Sequence, residues 1–229
     1  GDIYLTDATT AELVKVMENT FRDVNIALSN ELSNICREVG ADVWEAIELA
    51  NKHPRVNYHR PGPGVGGHCI PIDPWFIAEK SENNSELIRL SRKLNEEQKE
   101  VVIDRTEKIV EEVTEPKVTI LGVAYKGNVD DPRESPAIDI VEGLKDRNLN
   151  VEIYDPHVSS FPYELAGFET AFEKSDCAVL ITDHDEFKYL SPEDVGSLMN
   201  KRQIFDTRNC VKQDKWEKAG FKVRLLGSG

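Results

Sequence analysis

The chain has 229 residues, 39% of them hydrophobic and 31% charged, enough for one large domain or two modest ones with their own cores. Its formal charge of −14 sets it against nucleic acid and anionic membrane surfaces, although a few well-placed cations can still hold a phosphorylated small molecule. No stretch approaches the roughly 20 apolar residues that span a bilayer, and Gly1-Asp2-Ile3-Tyr4 lacks the features of a secretory leader, so no membrane and a cytoplasmic location are expected.

The first element predicted is a helix over about Thr10–Val39. Leu13, Met17, Phe21, Val24, Leu28, Leu32 and Ile35 recur at three- and four-residue steps, Thr9 or Thr10 is placed to cap it, and Gly40 ends it. Asp42 then caps a second helix, Val43–Asn51. From Lys52 to Gly67 the chain has no periodicity and is rich in Pro, Gly and basic residues, which reads as an ordered loop. Asp73-Pro74 reads as an N-cap followed by Pro at the first helical position, with a helix running to Lys80. A further amphipathic helix covers about Ser85–Thr114.

At Glu115-Pro116 the pattern changes to alternating strands and helices. Strands are expected at Val118–Ala124, Val151–Tyr154, Cys177–Thr182, Gln203–Phe205 and Phe221–Leu226. Helices are expected from Ser135-Pro136 to Asp146 and over Glu169–Lys174, Pro192–Asn200 and Gln213–Lys218. That alternation implies an α/β fold with a parallel, doubly wound sheet. The chain therefore divides into an all-α domain over 1–115 and a Rossmann-like α/β domain over 116–229. The four cysteines, Cys36, Cys69, Cys177 and Cys210, are widely spaced and lack histidines at ligand spacing, so no metal site is expected and at least three read as core filler.

One cysteine stands apart. In Arg60-Pro-Gly-Pro-Gly-Val-Gly-Gly-His-Cys-Ile-Pro-Ile-Asp-Pro-Trp75 the glycines let the backbone turn tightly and approach a ligand. They deliver His68-Cys69 towards a helix start, where backbone N–H groups and the dipole favour a thiolate. Asp73, four residues on, either caps the helix or orients a water. On the residues alone, a Gly-rich turn with an incidental cysteine is an equal reading. The spacing is neither G-x-G-x-x-G nor a P-loop, which excludes a cofactor-phosphate loop here. On the first helix Lys15, Asn19 and Arg22 share one face, as either a ligand-facing trio or a solvated stripe. In Leu121-Gly-Val-Ala-Tyr-Lys-Gly-Asn-Val-Asp-Asp-Pro-Arg-Glu-Ser-Pro-Ala137, Lys126 and Arg133 fall between the end of a first strand and the mouth of a helix, where ligands of doubly wound sheets collect.

Together the Cys69 loop, the helix Ala11–Asn19 and the Leu121–Ala137 stretch resemble the UDP-glucose/GDP-mannose dehydrogenase family, and within it the subgroup acting on UDP-N-acetylhexosamines. The resemblance covers the family's middle and last domains. It departs at Val129, where the family often has Thr, and the NAD-binding first domain has no counterpart here, so this chain is expected to be inactive alone. The resemblance implies oxidation of a sugar C6 alcohol to a carboxylate with two NAD. Cys69 is implied as nucleophile, Lys15 and Asn19 as oxyanion and proton-handling groups that also touch the sugar nucleotide, and Asp73 as the group that positions water. It further implies that Arg22, His53, Arg55, Gly66, Tyr125, Lys126 and Arg208 (in Asp206-Thr-Arg-Asn209) contact the nucleotide-sugar. Arg133 is the implied cofactor contact, and the long first helix the seam of a homodimer. Asp73-Pro-Trp-Phe-Ile77 and Phe21-Arg-Asp-Val24 favour UDP-N-acetylmannosamine over UDP-N-acetylglucosamine as substrate.

Overall fold

The structure, a computed structural model, describes residues 1–228. Helix α1 spans Ala8–Val39, capped by Asp7, whose carboxylate accepts from the Thr10 amide at 3.0 Å and the Thr10 hydroxyl at 2.7 Å. The cap thus lies ahead of Thr9 and Thr10, because Asp7 reaches the first free amides from an extended backbone. Gly40 closes the helix as expected. Helix α2 (Val43–Ala50) is capped by Asp42; α3 (Asp73–Lys80), a short 3₁₀ turn (Glu82–Asn84) and α4 (Glu86–Val110) follow.

The stripe of α1 that faces α4 is not the apolar one. Asn19, Thr20, Asp23, Ala27, Ser29, Asn30 and Ser33 are buried, while Leu13, Met17, Phe21, Leu28 and Ile35 are exposed. Polar residues sit inside because α4 offers them partners: Asn30 Nδ2 donates to Asn95 Oδ1 at 3.0 Å and Arg92 pairs with Asp23 at 2.6 Å. The apolar positions predicted from periodicity therefore form an outward stripe on this single chain.

Five strands, β1 (Lys117–Leu121), β2 (Asn150–Tyr154), β3 (Cys177–Leu180), β4 (Gln203–Asp206) and β5 (Lys222–Leu225), pair in parallel in the order β2-β1-β3-β4-β5. Helix α5 (Pro136–Asp146), capped by Ser135, and the last turns of α4 cover one face through Val102, Ile103, Val110, Ile140 and Leu144. Helices α6 (Phe168–Phe172), α7 (Asp185–Lys188), α8 (Pro192–Leu198) and α9 (Gln213–Lys218) cover the other through Phe172, Phe187, Val195 and Trp216. The fold class is thus α/β with helices on both faces of a parallel sheet. Element type changes at Pro116, yet α4 carries Val102, Ile103 and Val110 into the sheet's core, so its C-terminal end packs as part of the α/β layer. Strand β1 ends at Leu121, three residues earlier than expected, because the backbone turns at Gly122 with φ +82°. A Cβ there would lie 2.5 Å from Thr182 Cβ. That crossing of β1 and β3 is where the strand order reverses and a crevice opens.

Candidate active site

The Gly-rich loop lies across the mouth of that crevice. Pro61 to Val65 are buried, and Gly62 sits so close to Arg208 that an added Cβ would meet Arg208 Nη1 at 2.7 Å. At Gly66 a Cβ would fall 2.5 Å from the Glu134 carbonyl oxygen, and at Gly67, φ +90°, 2.9 Å from the Tyr125 ring. The loop therefore docks by bare backbone onto the start of α5 and onto Tyr125, an approach that side chains would prevent. His68 continues the contact, edge-on to Tyr125 and 3.5 Å from the Asp131 carboxylate. Cys69 emerges exposed.

Behind Cys69 the chain turns into α3. The Ile72 and Asp73 amides donate to the Cys69 carbonyl at 3.1 and 2.8 Å. Two of the amides that a thiolate could have used are thus taken by the peptide of Cys69 itself. Asp73 is not the N-cap: Ile72 holds that position without a side-chain bond, and the Asp73 carboxylate instead accepts from Asn19 Nδ2 at 2.6 Å. Asn19 is buried and 54 residues away in sequence, and its reach across α1 to α3 is what takes Asp73 out of its local role. Of the four expected catalytic residues, Asn19 and Asp73 are therefore joined by their side chains, and Cys69 is linked to Asp73 through its backbone carbonyl. Lys15, one turn before Asn19, is exposed and 3.5 Å from Glu18. Arg22 is also exposed, on the next turn, where burial and then the nearby Arg22 charge hold the His59 imidazole below its usual pKa.

The cations of the α/β part differ in how committed they are. Lys126 is exposed and forms no ion pair among the described residues. Arg133 is exposed but forked onto Asp131, with Nε and Nη2 each 2.8 Å from a carboxylate oxygen. The bond from Arg133 holds Asp131 well below the usual carboxylate range. Arg208 is half-buried and donates from Nε to the Ile181 carbonyl at 2.8 Å; burial lowers its pKa against the pull of Asp183 and Asp206. His53 and Arg55 lie on an exposed turn, joined by a 3.2 Å bond from the Arg55 amide to His53 Nδ1, and no bond links them to the Cys69 loop among the described residues. A cavity of about 620 Å³ opens between α2 and the end of β4, with Lys52, Tyr58, Arg60 and Asn209 in its wall; Cys69 does not line it.

Sequence reasoning missed the residues that hold this frame. Asp155, just past β2, accepts from the amides of Val123 (2.6 Å), His157 (2.8 Å) and Val158 (2.9 Å), and from His184 Nε2 at 3.0 Å. Burial alone would raise its pKa, but the His184 and backbone bonds outweigh it and bring the carboxyl to about 2. His184 Nδ1 accepts from the Asn128 amide at 2.9 Å, so Nε2 carries the proton given to Asp155. That leaves His184 no lone pair for a cation, although His157 and Glu186 lie close by. A strand-end Asp-Pro and a polar Thr-Asp-His after a buried strand were the available signals for this pair.

Comparison with known proteins finds matches for both parts of the chain. The central-domain profile of the UDP-glucose/GDP-mannose dehydrogenase family matches residues 9–97, and its UDP binding domain profile matches residues 119–213. A relative named UDP-N-acetyl-D-mannosamine dehydrogenase, from Methanococcus vannielii, is 51% identical over 237 residues, covering 100% of this chain and 55% of its own. One of the same name from Methanocaldococcus jannaschii is 53% identical over 232 residues, covering 100% of this chain and 54% of its own. The solved structure of a UDP-D-ManNAc dehydrogenase from Pyrococcus horikoshii superimposes with a TM-score of 0.90 at 43% identity, over 99% of this chain and 54% of that one. The chain spans about half the length of the curated relatives it matches.

Proposed function

This chain belongs to the UDP-glucose/GDP-mannose dehydrogenase family, and we propose that it forms the catalytic-thiol and nucleotide-sugar-binding part of an NAD-dependent UDP-N-acetylmannosamine 6-dehydrogenase. The observation that carries the reading is the 2.6 Å side-chain bond from Asn19 on α1 to Asp73 at the start of α3, one turn after the exposed Cys69, whose backbone carbonyl accepts the Asp73 amide at 2.8 Å. The names of the relatives support the N-acetylmannosamine nucleotide as substrate. UDP-N-acetylglucosamine is the alternative, separated by comparing C6 oxidation of the two sugars in a full-length protein.

The chain's own residues do not make a dinucleotide cradle. The link from β1 to α5 runs from Gly122 to Ser135 without a tight Gly-rich turn, and Arg133, the cation expected to touch the cofactor, is already paired with Asp131. NAD supplies the hydride acceptor for both oxidations, bound largely outside these residues. Within the chain, Cys69 Sγ adds to the C6 aldehyde carbon and the carbonyl oxygen takes up a proton, giving a thiohemiacetal. Once oxidised, that adduct is a thioester, and water cleaves its C–S bond to leave the carboxylate and restore the thiol. Asp73, oriented by Asn19, positions that water, and Lys15 steadies the oxyanion. Lys126 and Arg208, with Tyr125, flank the crevice that takes the UDP group; Arg22, His53, Arg55 and Gly66 complete the nucleotide-sugar contacts in this reading.

The exposed stripe Val14, Phe21, Leu28 and Ile35, repeating every seven residues along α1, supports a homodimer built on that helix. No helix among the described residues is long and apolar enough to cross a membrane, and a cytoplasmic enzyme is the reading that goes with a nucleotide-sugar substrate. For the chain by itself, half the length of its relatives, UDP-sugar binding and dimerisation without turnover is the corresponding expectation. Calorimetric titration of the chain with UDP-N-acetylmannosamine, UDP and NAD tests it. The UDP ligands should bind, with Lys126→Ala weakening them roughly tenfold or more, the loss expected of one charge-assisted hydrogen bond. Failure of UDP to bind would remove the proposal.

A further inference from the structure

In a chain with 42 acidic and 28 basic side chains, three arginines gather beside the end of β5 without an acidic partner. Arg105, on α4, holds its guanidinium 4.6 Å above the Phe205 ring and donates from Nη2 to the Leu225 carbonyl at 3.1 Å. Phe205 on β4 is the register partner of Arg224 on β5, so both side chains leave the sheet on one face, the one that carries α4. Just beyond, the chain presses on α1, where a Cβ at Gly227 would lie 2.7 Å from Ser33 Cβ. Arg37 follows Ser33 by one turn on that side of α1. The helices α1 and α4 and the strand β5 thus each contribute one half-buried arginine.

Other arginines of the chain find acids: Arg92 pairs with Asp23, Arg133 with Asp131, and Arg147 with Asp104 and Glu107. Among the described residues Arg37, Arg105 and Arg224 form no ion pair. Burial, then the charges of Arg37 and Arg224, bring the Arg105 pKa down to about 10, and no acid offsets them. Asp176, close to Gln203, is engaged elsewhere, accepting from the Lys117 amide at 3.0 Å and from Asn200 Nδ2 at 2.6 Å. A guanidinium has five N–H donors. Arg105 gives one to Leu225 and Arg224 gives one to Gln203 Oε1 at 3.2 Å, while no nitrogen of the three is both buried and unpartnered. Their remaining donors therefore meet solvent, open to a group that arrives from it. Three planar forks suit a tetrahedral anion with several acceptor oxygens, which also offsets their mutual repulsion. We propose that Arg37, Arg105 and Arg224 form a binding site for a phosphate-class oxyanion. None of the three is among the residues assigned to the nucleotide-sugar, so the site stands independently of the proposed function.

The probe is inorganic phosphate, titrated into the chain at an ionic strength held constant with chloride and followed by NMR of the arginine Nε–Hε groups. Those of Arg37, Arg105 and Arg224 should move together on one saturating curve. Arg202, whose guanidinium is held by the Gly196 and Ala219 carbonyls, should stay where it is. Arg37→Gln and Arg224→Gln should each weaken phosphate about tenfold or more, the loss of one charge-assisted hydrogen bond. Both leave the contacts of Arg105 with Phe205 and Leu225 in place, so the test does not depend on whether Arg105→Met folds. UMP, read at the same three arginines, separates the sources of the anion. Tighter phosphate assigns the site to the free ion and tighter UMP to a nucleotide phosphate, and either result supports it. Lys126→Ala should leave the phosphate curve unchanged; loss of binding there would place the anion in the UDP crevice and overturn the site. Shifts that grow linearly without saturating, or affinities within twofold of the unaltered chain in both glutamine variants, would overturn it equally.

Discussion

Replacing Asp155 with Asn asks how much one buried carboxylate contributes to holding the turn that carries Tyr125 and Lys126. Its side chain has no exposure, and its two oxygens accept four backbone amides (Val123, Ala124, His157 and Val158) and the His184 ring. An Asn in its place turns an NH₂ towards part of that donor set, leaving at least two donors unpaired. At neutral pH this should cost roughly 2 to 4 kcal/mol. The pH dependence is the sharper part. The carboxyl lies at about 2 in the folded chain against 3.8 as its reference, so its contribution is complete above about pH 4 and is lost as pH falls through the folded value. The stability gap between the unaltered chain and Asp155→Asn should then narrow by about 2 kcal/mol between about pH 5.5 and pH 2. Asp23 and Asp206, whose burial raises their pKa values, titrate in both proteins and cancel in the difference. Urea unfolding midpoints of the two proteins across that range provide the measurement. A gap that stays constant while both fall would mean that Asp155 is not held ionised by these bonds.

Three further outcomes follow from the same geometry. Brief treatment with iodoacetamide should label Cys69 well ahead of Cys177 and Cys210, whose thiols burial pushes up to about 12; peptide mass spectrometry showing Cys177 labelled first would contradict its burial. Gly66→Ala should destabilise the chain by about 1–3 kcal/mol, because its Cβ meets the Glu134 backbone at 2.5 Å; an unchanged melting temperature would show that the loop is not docked on α5. Phe21→Asp with Leu28→Asp should leave secondary structure intact by circular dichroism while shifting light-scattering mass to that of one chain; a dimer surviving both changes would move the seam away from α1.

Much of the molecule is determined locally and could be read directly. Helix ends follow from short-range chemistry: Asp42 reaches the Trp44 and Glu45 amides, Ser135 reaches Ala137, and Gly40 takes the left-handed turn. The strands of the α/β part announce themselves as short apolar runs, and the Cys69 loop is distinctive through its glycines alone. Strand order could not be read the same way. β1 and β3 are buried almost throughout and apolar, so nothing in either run records which neighbours it will pair with. Periodicity predicts α1 as a helix but not which of its faces is inside, since hydrophobic spacing marks what avoids water without telling which surface removes it. Here α4 meets Asp23 and Asn30, and the apolar stripe is left outside.

The site divides along the same line. Cys69, Lys126 and Arg208 could be singled out as candidates because each sits in a contiguous motif whose backbone shapes its surroundings. Asp73 was legible as a residue but not in its role, for an Asp before Pro is locally a cap until Asn19 arrives from 54 positions away. Arg133 looked free until Asp131 folded onto it, and Asp155, His184, Asn30 and Asn95 gave no signal of their partners. The sequence by itself determined the elements and the chemistry available at their ends, because caps, turns and strand runs depend on neighbours along the chain. Only the tertiary structure decided which polar groups are inside and what each is bonded to, because a buried donor or acceptor is satisfied by whatever packing brings opposite it.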